Sequence, residues 1–294
     1  MTQPAEADVT LPNGTWQQGV CERQARVRAI SEGDVAMEGL EEGRLPIERV
    51  SALLARCVIH LGGRSGEGAE QLRNLPMGDR EALLLHIRRL TFGDRIPCTL
   101  HCPSCTALMD FELQAQELVL RPEQHPAQYH EESFPSGETI WRARFRVPCG
   151  ADLETAIHIA RDGAHSRTSE AALAVLNRCV EWVRRENAPG NENVPAAQWP
   201  PELAEQIAAR MSALDPQAEI VLQLRCPTCG HEFSSLFDVG DYFLRELAAA
   251  ERQLYYDVHR LALAYHWSET EILNMTPRKR KLYLELLEGV SGGE

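Results

Sequence analysis

Two Cys-x-x-Cys pairs, Cys102/Cys105 and Cys226/Cys229, are the residues of this 294-residue chain best suited to chemistry. They read His101-Cys-Pro-Ser-Cys and Arg225-Cys-Pro-Thr-Cys-Gly-His231, each in a tight turn between extended, alternating segments. Two thiolates at this spacing grip one zinc ion from two corners of a tetrahedron, and Pro or Gly in the turn lets backbone amides face the sulfurs. Each pair supplies two ligands, whereas a closed structural site needs four. Two knuckles of nearly the same local sequence therefore predict one structural zinc per chain, held by Cys102, Cys105, Cys226 and Cys229, although 120 residues lie between Cys105 and Cys226. That separation exceeds the ribbon spacing of about 15–20 residues. A redox pair is the competing reading. Such a pair opens a helix in a βαβ pattern, yet strand-like residues follow here, Ala107 to Leu113 and Glu232 to Phe237.

Cys98, His101 and His231 are spare donors close to the knuckles. With four cysteines completing the shell, they read as packing residues or as hydrogen-bonding supports of the sulfurs. Cys57 and Cys179 sit in apolar helical stretches, where a thiol behaves as a small hydrophobe; Cys21 and Cys149 are solitary. Nine cysteines, an odd set, without a signal peptide point to a reducing cytoplasm.

No catalytic spacing accompanies the cysteines. There is no His-Glu-x-x-His, His125 and His130 flank Pro126, and neither a Gly-rich phosphate loop nor a nucleophile elbow is present. A zinc bound by four thiolates has no open position and cannot activate water. The expectation is a protein without enzymatic activity. A metalloenzyme would have to use Cys98 or His231 as an alternative ligand. The formal charge of −13 argues against nucleic acid, whose phosphates favour a basic surface. No stretch approaches the ~18 apolar residues of a membrane span.

The surrounding segments must position these groups. Residues 1–20 are polar and read as a flexible arm. Residues 21–93 read as a helical N-terminal region: one helix opens at Pro46 and ends at Gly62-Gly63, a loop follows to Gly68, and a second helix is capped by Asp79 and closes at Gly93. Residues 94–148 hold the first knuckle and β segments, including Trp141-Arg-Ala-Arg-Phe-Arg-Val147 with one wet, arginine-bearing face. Residues 149–216 read as a helical insertion with a polar linker at 186–193, and 217–237 as the second knuckle. Residues 238–294 form a C-terminal helical region, with Leu263 in the apolar set of its long helix and Leu282 and Leu286 in that of its last. Ser268-Glu-Thr-Glu271 is a capping box there, Thr276-Pro277 opens the last helix, and Arg278-Lys-Arg-Lys281 reads as solvated surface. Tyr255, Tyr256, Tyr265 and Trp267 gather aromatic area of the kind that anchors interfaces, or pack the long helix against its two successors. The fold class expected is α+β, mainly helical, with the two hairpins meeting as a split zinc-ribbon-like site.

Leu75-Pro-Met-Gly-Asp-Arg-Glu-Ala-Leu-Leu-Leu-His-Ile-Arg-Arg-Leu-Thr-Phe-Gly-Asp-Arg95, followed by Cys-Pro-x-Cys, resembles the baseplate protein family of contractile-tailed phages and phage-like injection systems. The run from Val258 to Leu273 and the Arg280–Leu287 segment are similar to the ends of many such proteins. The resemblance covers about 75–118 and 217–288, and the middle only loosely. It implies a non-enzymatic component of tail or baseplate assembly, with other tail proteins as partners and a place in the assembled particle. The rival class is a cellular zinc-ribbon protein that binds nucleic acid or the transcription machinery.

Overall fold

The structure, a computed structural model, describes residues 4–35, 44–62, 64–65, 69–121, 126–161, 168–186 and 192–291. Most of the expected loop at 63–68, most of the linker at 186–193 and His125 lie outside the described residues. The fold is α+β, 50% helical and 29% strand, so it holds more sheet than "mainly helical" conveys. The first part of the chain runs β1 (Glu6–Gln17), β2 (Val20–Arg28), α1 (Glu32–Val35), α2 (Pro46–Cys57), β3 (Val58–Leu61), β4 (Arg64–Ser65), α3 (Ala69–Arg73) and α4 (Met77–Phe92). The four strands form one sheet in chain order. The expected loose arm is therefore corrected: its residues from Glu6 onward form a strand. Val9 and Leu11 alternate inward onto the core beside Ala25 and Val27 of β2, while the polar residues between them take the other face. The helix opening at Pro46 also stops early, at Cys57. Val58, β-branched and suited to a pleated surface, leaves it to pair with Val27 of β2, and His60 and Leu61 continue the ladder past a register shift at Ile59.

The start of α4 is the most densely bonded place in the chain. Pro76 is the residue that precedes its first turn, and Asp79, expected as the cap, is instead fully buried. Its two carboxylate oxygens accept the N–H groups of Asn13 and Gly14, both at 2.7 Å. Asp215 accepts the Gly78 N–H and the Asn13 side-chain amide, both at 2.8 Å. Arg80, also buried, donates to the Leu72 carbonyl at 2.8 Å and to Ser51 Oγ at 2.9 Å. Ser51 donates in turn to Glu154, at 3.0 Å, and Arg73 Nε donates to the same carboxylate at 2.6 Å.

After α4 come the first knuckle hairpin, β5 (Arg95–His101) and β6 (Leu108–Gln114), and α5 (Ala115–Leu118). Then follow β7 (His130–Ser136), β8 (Thr139–Phe145), α6 (Gly150–Arg161), α7 (Thr168–Cys179), β9 (Val180–Arg185) and α8 (Pro201–Leu214). Reading 149–216 as helical is corrected too, because β9 joins β7 and β8 in an antiparallel sheet. Phe134, Ala143, Phe145 and Val183 of that sheet bury against Leu176 of α7 and Leu203, Ile207 and Met211 of α8, a core separate from the first.

The second knuckle, β10 (Ile220–Arg225) and β11 (Glu232–Phe237), leads into α9 (Val239–Tyr265), α10 (Glu269–Leu273) and α11 (Pro277–Ser291). The Asp238 side chain caps α9 by accepting the Asp241 N–H at 2.8 Å, and the Ser268–Glu271 capping box is formed. Phe243, Leu244 and Leu247 join the main core with Leu53 and Leu54 of α2 and Leu83, Leu84 and Ile87 of α4. Of the basic run, Arg278, Lys279 and Lys281 are exposed, but Arg280 is buried. It donates to the carbonyls of Ile272 and Met275 at the end of α10, which corrects its reading as surface.

Two outcomes follow from the α4 junction. A Cβ on Gly78 would sit 1.9 Å from Asp215 Oδ1, so Gly78→Ala should cost roughly 2–4 kcal/mol in denaturant unfolding through overpacking and a lost charge-assisted bond. Burial pushes the Asp79 carboxyl from 3.8 up to about 7 against the opposing pull of the Asn13 and Gly14 amides. A raised folded-state value means that its stabilising contribution is present below about pH 4 and is lost as the pH climbs through 7. Wild type should therefore lose stability relative to Asp79→Asn between pH 4 and pH 8, as measured by unfolding at both ends.

Candidate metal centre

The two knuckles are built alike, residue for residue. In the first, the Cys102 N–H donates to the Ala107 carbonyl and the Thr106 N–H to the Cys102 carbonyl, both at 2.9 Å. In the second, Cys226 N–H donates to His231 and Gly230 N–H to Cys226, again at 2.9 Å. Thr106 (φ 60°) and Gly230 (φ 74°) hold the matching left-handed positions. Each hairpin is a two-stranded ladder that presents its cysteines at the turn.

The hairpins meet at their tips. Cys102 Sγ lies 3.8 Å from Cys229 Sγ, and Cys105 Sγ 3.7 Å from Cys226 Sγ. All four sulfurs lie within 4.8 Å of one another. Four thiolates at ~2.3 Å from one ion sit about 3.8 Å apart along the tetrahedron's edges, so the cluster fits a metal ion. The contacts are far longer than the ~2.05 Å of a disulfide. Cys102 and Cys226 are buried beside Met109, with Leu100, Ala107 and Phe233 packed around them, while Cys229 is exposed. Among the described residues no other group of His, Cys, Asp or Glu converges in this way.

Electrostatics supports the same reading. The N–H of Cys229, helped by that of Thr228, draws the Cys226 thiol down to about 6. The Ala107 amide pulls on Cys105 likewise, but the sulfurs of Cys229, Cys226 and Cys102 outweigh it and push Cys105 up to about 12. One thiolate forms readily, and ionising Cys105 beside it needs a cation to share the charge.

The three spare donors separate. Cys98 points away, with its thiol on the Ile96 carbonyl at 3.7 Å, beneath Tyr242, whose hydroxyl donates to the Pro97 carbonyl at 2.7 Å. His101 Nδ1 meets the Thr106 carbonyl at 3.0 Å and braces the first turn. His231 stacks on Phe233 with ring centres 5.9 Å apart, and its carbonyl, not its imidazole, serves the knuckle.

The aromatic set divides as well. Tyr265 stacks on Trp267 at 4.5 Å and both meet Tyr283 edge-on, packing α9 against its successors. Tyr255 and Tyr256 are exposed, as are Leu263, Leu282 and Leu286, which helical periodicity assigns to apolar faces.

A second polar cluster escaped sequence reasoning. Buried Asp152 accepts from Arg146 at 2.6 Å, Arg178 at 2.7 Å, and the Cys149 N–H and thiol at 2.9 and 3.1 Å. Burial opposes ionisation, yet the Arg146 guanidinium and the Cys149 amide hold its carboxyl well below the usual range. Burial and this carboxylate raise the thiols of Cys149 and Cys179, which keeps them protonated and unreactive. In the sequence the place shows only two unconnected cysteines, Cys149 and Cys179.

Residues 38–244 match the family model described as T4 bacteriophage base plate protein, which is more than two-thirds of the chain. The chain belongs to that family. No curated protein and no solved structure gives a match. The matched span takes in both knuckles, the α4 junction except its Asn13 and Gly14 contacts, and the middle region that resembled the family only loosely. It ends within α9, so the resemblance drawn from Val258 to Leu287 falls outside it. Membership makes the protein a structural baseplate component that associates with other tail proteins. Among the described residues, no helix is long and apolar enough to cross a membrane.

The matched turns can be tested against each other. A Cβ at Gly230 meets open space except for Arg225 at 3.9 Å, so Gly230→Ala should cost only the left-handed penalty, roughly 1–2 kcal/mol. Thr106→Gly should change stability by less than about 1 kcal/mol, as relief of strain offsets added chain freedom. Thermal unfolding of both variants checks the pair.

Proposed function

We propose that the protein is a non-enzymatic, zinc-stapled structural or assembly component of a phage-type contractile tail or injection-system baseplate. The observation that carries this reading is the convergence of four sulfurs, from hairpins 120 residues apart in sequence, within a chain of a baseplate family. An all-thiolate tetrahedral donor set suits zinc. With four protein ligands the ion leaves no position for water or substrate, and its contribution is folding free energy. Cys102 and Cys105 hold one hairpin to it, Cys226 and Cys229 the other. The contact surface with neighbours is the C-terminal helical segment, through exposed Tyr255 and Tyr256 with Leu263, Leu282 and Leu286; Tyr265 and Trp267 support it from within.

Metal analysis of the purified protein should give one zinc per chain. Cys226→Ser should lower the melting temperature by about 5–10 °C, for a loss of a few kcal/mol, and expose the Cys102 region to protease. A melting curve unchanged by complete chelation would show that the core needs no staple. For the biological role, deletion of the gene from a producing cell should yield particles without finished baseplates by electron microscopy. Normal numbers of intact, contractile particles would refute assembly, while normal assembly with Tyr256→Ala plus Leu263→Ala would remove only the proposed surface.

A further inference from the structure

The outer face of the β7–β8–β9 sheet carries a feature that neither the metal centre nor the C-terminal helices explain. Its inner face is covered by α7 and α8. On the outer face, the register sets Arg142 of β8 directly opposite Arg184 of β9, and Arg144 opposite Trp182. Like charges directly opposite one another destabilise a sheet, so the arrangement costs the fold something. Two of the guanidiniums lie on aromatic rings, Arg184 over Trp182 at 4.2 Å and Arg144 over Tyr129 at 4.7 Å. Stacking of this kind fixes the planar group while leaving N–H donors at its edge for a carboxylate.

The carboxylates present satisfy Arg144 but leave Arg142 and Arg184 short of close partners. Glu131 reaches Arg142 only at 3.7 Å and Arg144 at 3.5 Å, and Glu181 pairs with Arg144 at 2.8 Å. Among the described residues Arg184 has no ion-pair partner; its Nε is buried without a hydrogen bond, so any donor it offers a ligand is a terminal nitrogen. Over these side chains runs a groove of about 420 Å³, whose lining also includes Glu131 and Glu186.

We propose that this groove is a docking site for a short acidic segment, consecutive Asp or Glu residues, of a neighbouring protein. The argument is charge complementarity. A guanidinium pair with unused donors, on a chain of net charge −13, marks a local exception that carboxylates fit bidentately. The overall charge repels a long polyanion such as nucleic acid, which needs a continuous basic track, whereas a short acidic stretch needs only the Arg142–Arg184 pair. That the partner is a protein rests on the assembly reading above; the carboxylate chemistry does not.

The test is fluorescence anisotropy of labelled hexaglutamate titrated with the full-length protein at low and moderate salt, with hexaglutamine and oligothymidylate as comparisons. Hexaglutamate should bind, more weakly as salt rises, and hexaglutamine should not. Arg142→Gln with Arg184→Gln should weaken binding at least roughly tenfold, with a melting temperature unchanged or raised because a like-charge pair is gone. Absent binding, equal binding to the double variant, or tighter binding of oligothymidylate would overturn the proposal. So would a self-associated protein that the double variant renders monomeric, since the occupant would then be a second copy. Normal particles from a gene deletion would refute the assembly reading without altering the titration, and a failed titration with defective particles would overturn this site alone.

Discussion

Three consecutive residues at the start of α4 reach for three different parts of the chain, and their needs set the arrangement of everything else. Gly78 offers its N–H to Asp215, Asp79 takes the turn of β1 at Asn13 and Gly14, and Arg80 holds α2 and the end of α3. Charged groups removed from water are tolerable only when their partners are in place. The cluster therefore forms completely or at high cost. Its reach extends to the knuckles. Gln217, two residues past Asp215, accepts the Leu120 N–H at 2.7 Å and donates to the Leu118 carbonyl at 3.2 Å. The chain leaving β6 and the chain entering β10 are thus tied together at the base of both hairpins, away from the cysteines at their tips.

That tie changes how the sulfur cluster is understood. A metal that had to close a 120-residue loop unaided would face a large entropic cost. Here the intervening β7–α8 segment folds around its own core, and the Asp215–Gln217 contacts return the chain to its point of departure. What remains for the ion is the register of two hairpin tips. The resemblance of the two turns down to a shared left-handed residue means that each presents its sulfurs in the same way, and the sulfurs pair crosswise, first cysteine with last.

The knuckles were legible because a Cys-x-x-Cys turn encodes its geometry within a few residues, and a second copy announces its mate. Local signals likewise placed the helices that open at Pro46 and Pro277 and the capping box at Ser268. The misses share another cause. β1 buries Val9 and Leu11 among polar neighbours, and Pro12 and Gly14 then break the pattern, so the alternation is too short to stand out. Val180 to Arg185 follow a helix without a break, so only pairing with β8 reveals the strand. Asp79 looks like a cap because its true partner, Gly14, is 65 residues away. Tyr265 and Trp267 were visible as aromatics, but whether a ring faces solvent or Tyr283 depends on how α11 folds back, and no local pattern states that.

α9 has 27 residues and is thus about 40 Å long. Its first turns are clamped in the main core through Phe243 and Leu247, and Tyr242 ties them to the first knuckle at Pro97. Its far half packs on α10 and α11, through Val258, Leu261 and Ile272. Mechanically this is a cantilever. A swing of ~5° at the root carries the tip by ~3 Å over such a length, so the angle set at the base of the first hairpin, beside Pro97, is delivered, magnified, at the far end of the rod.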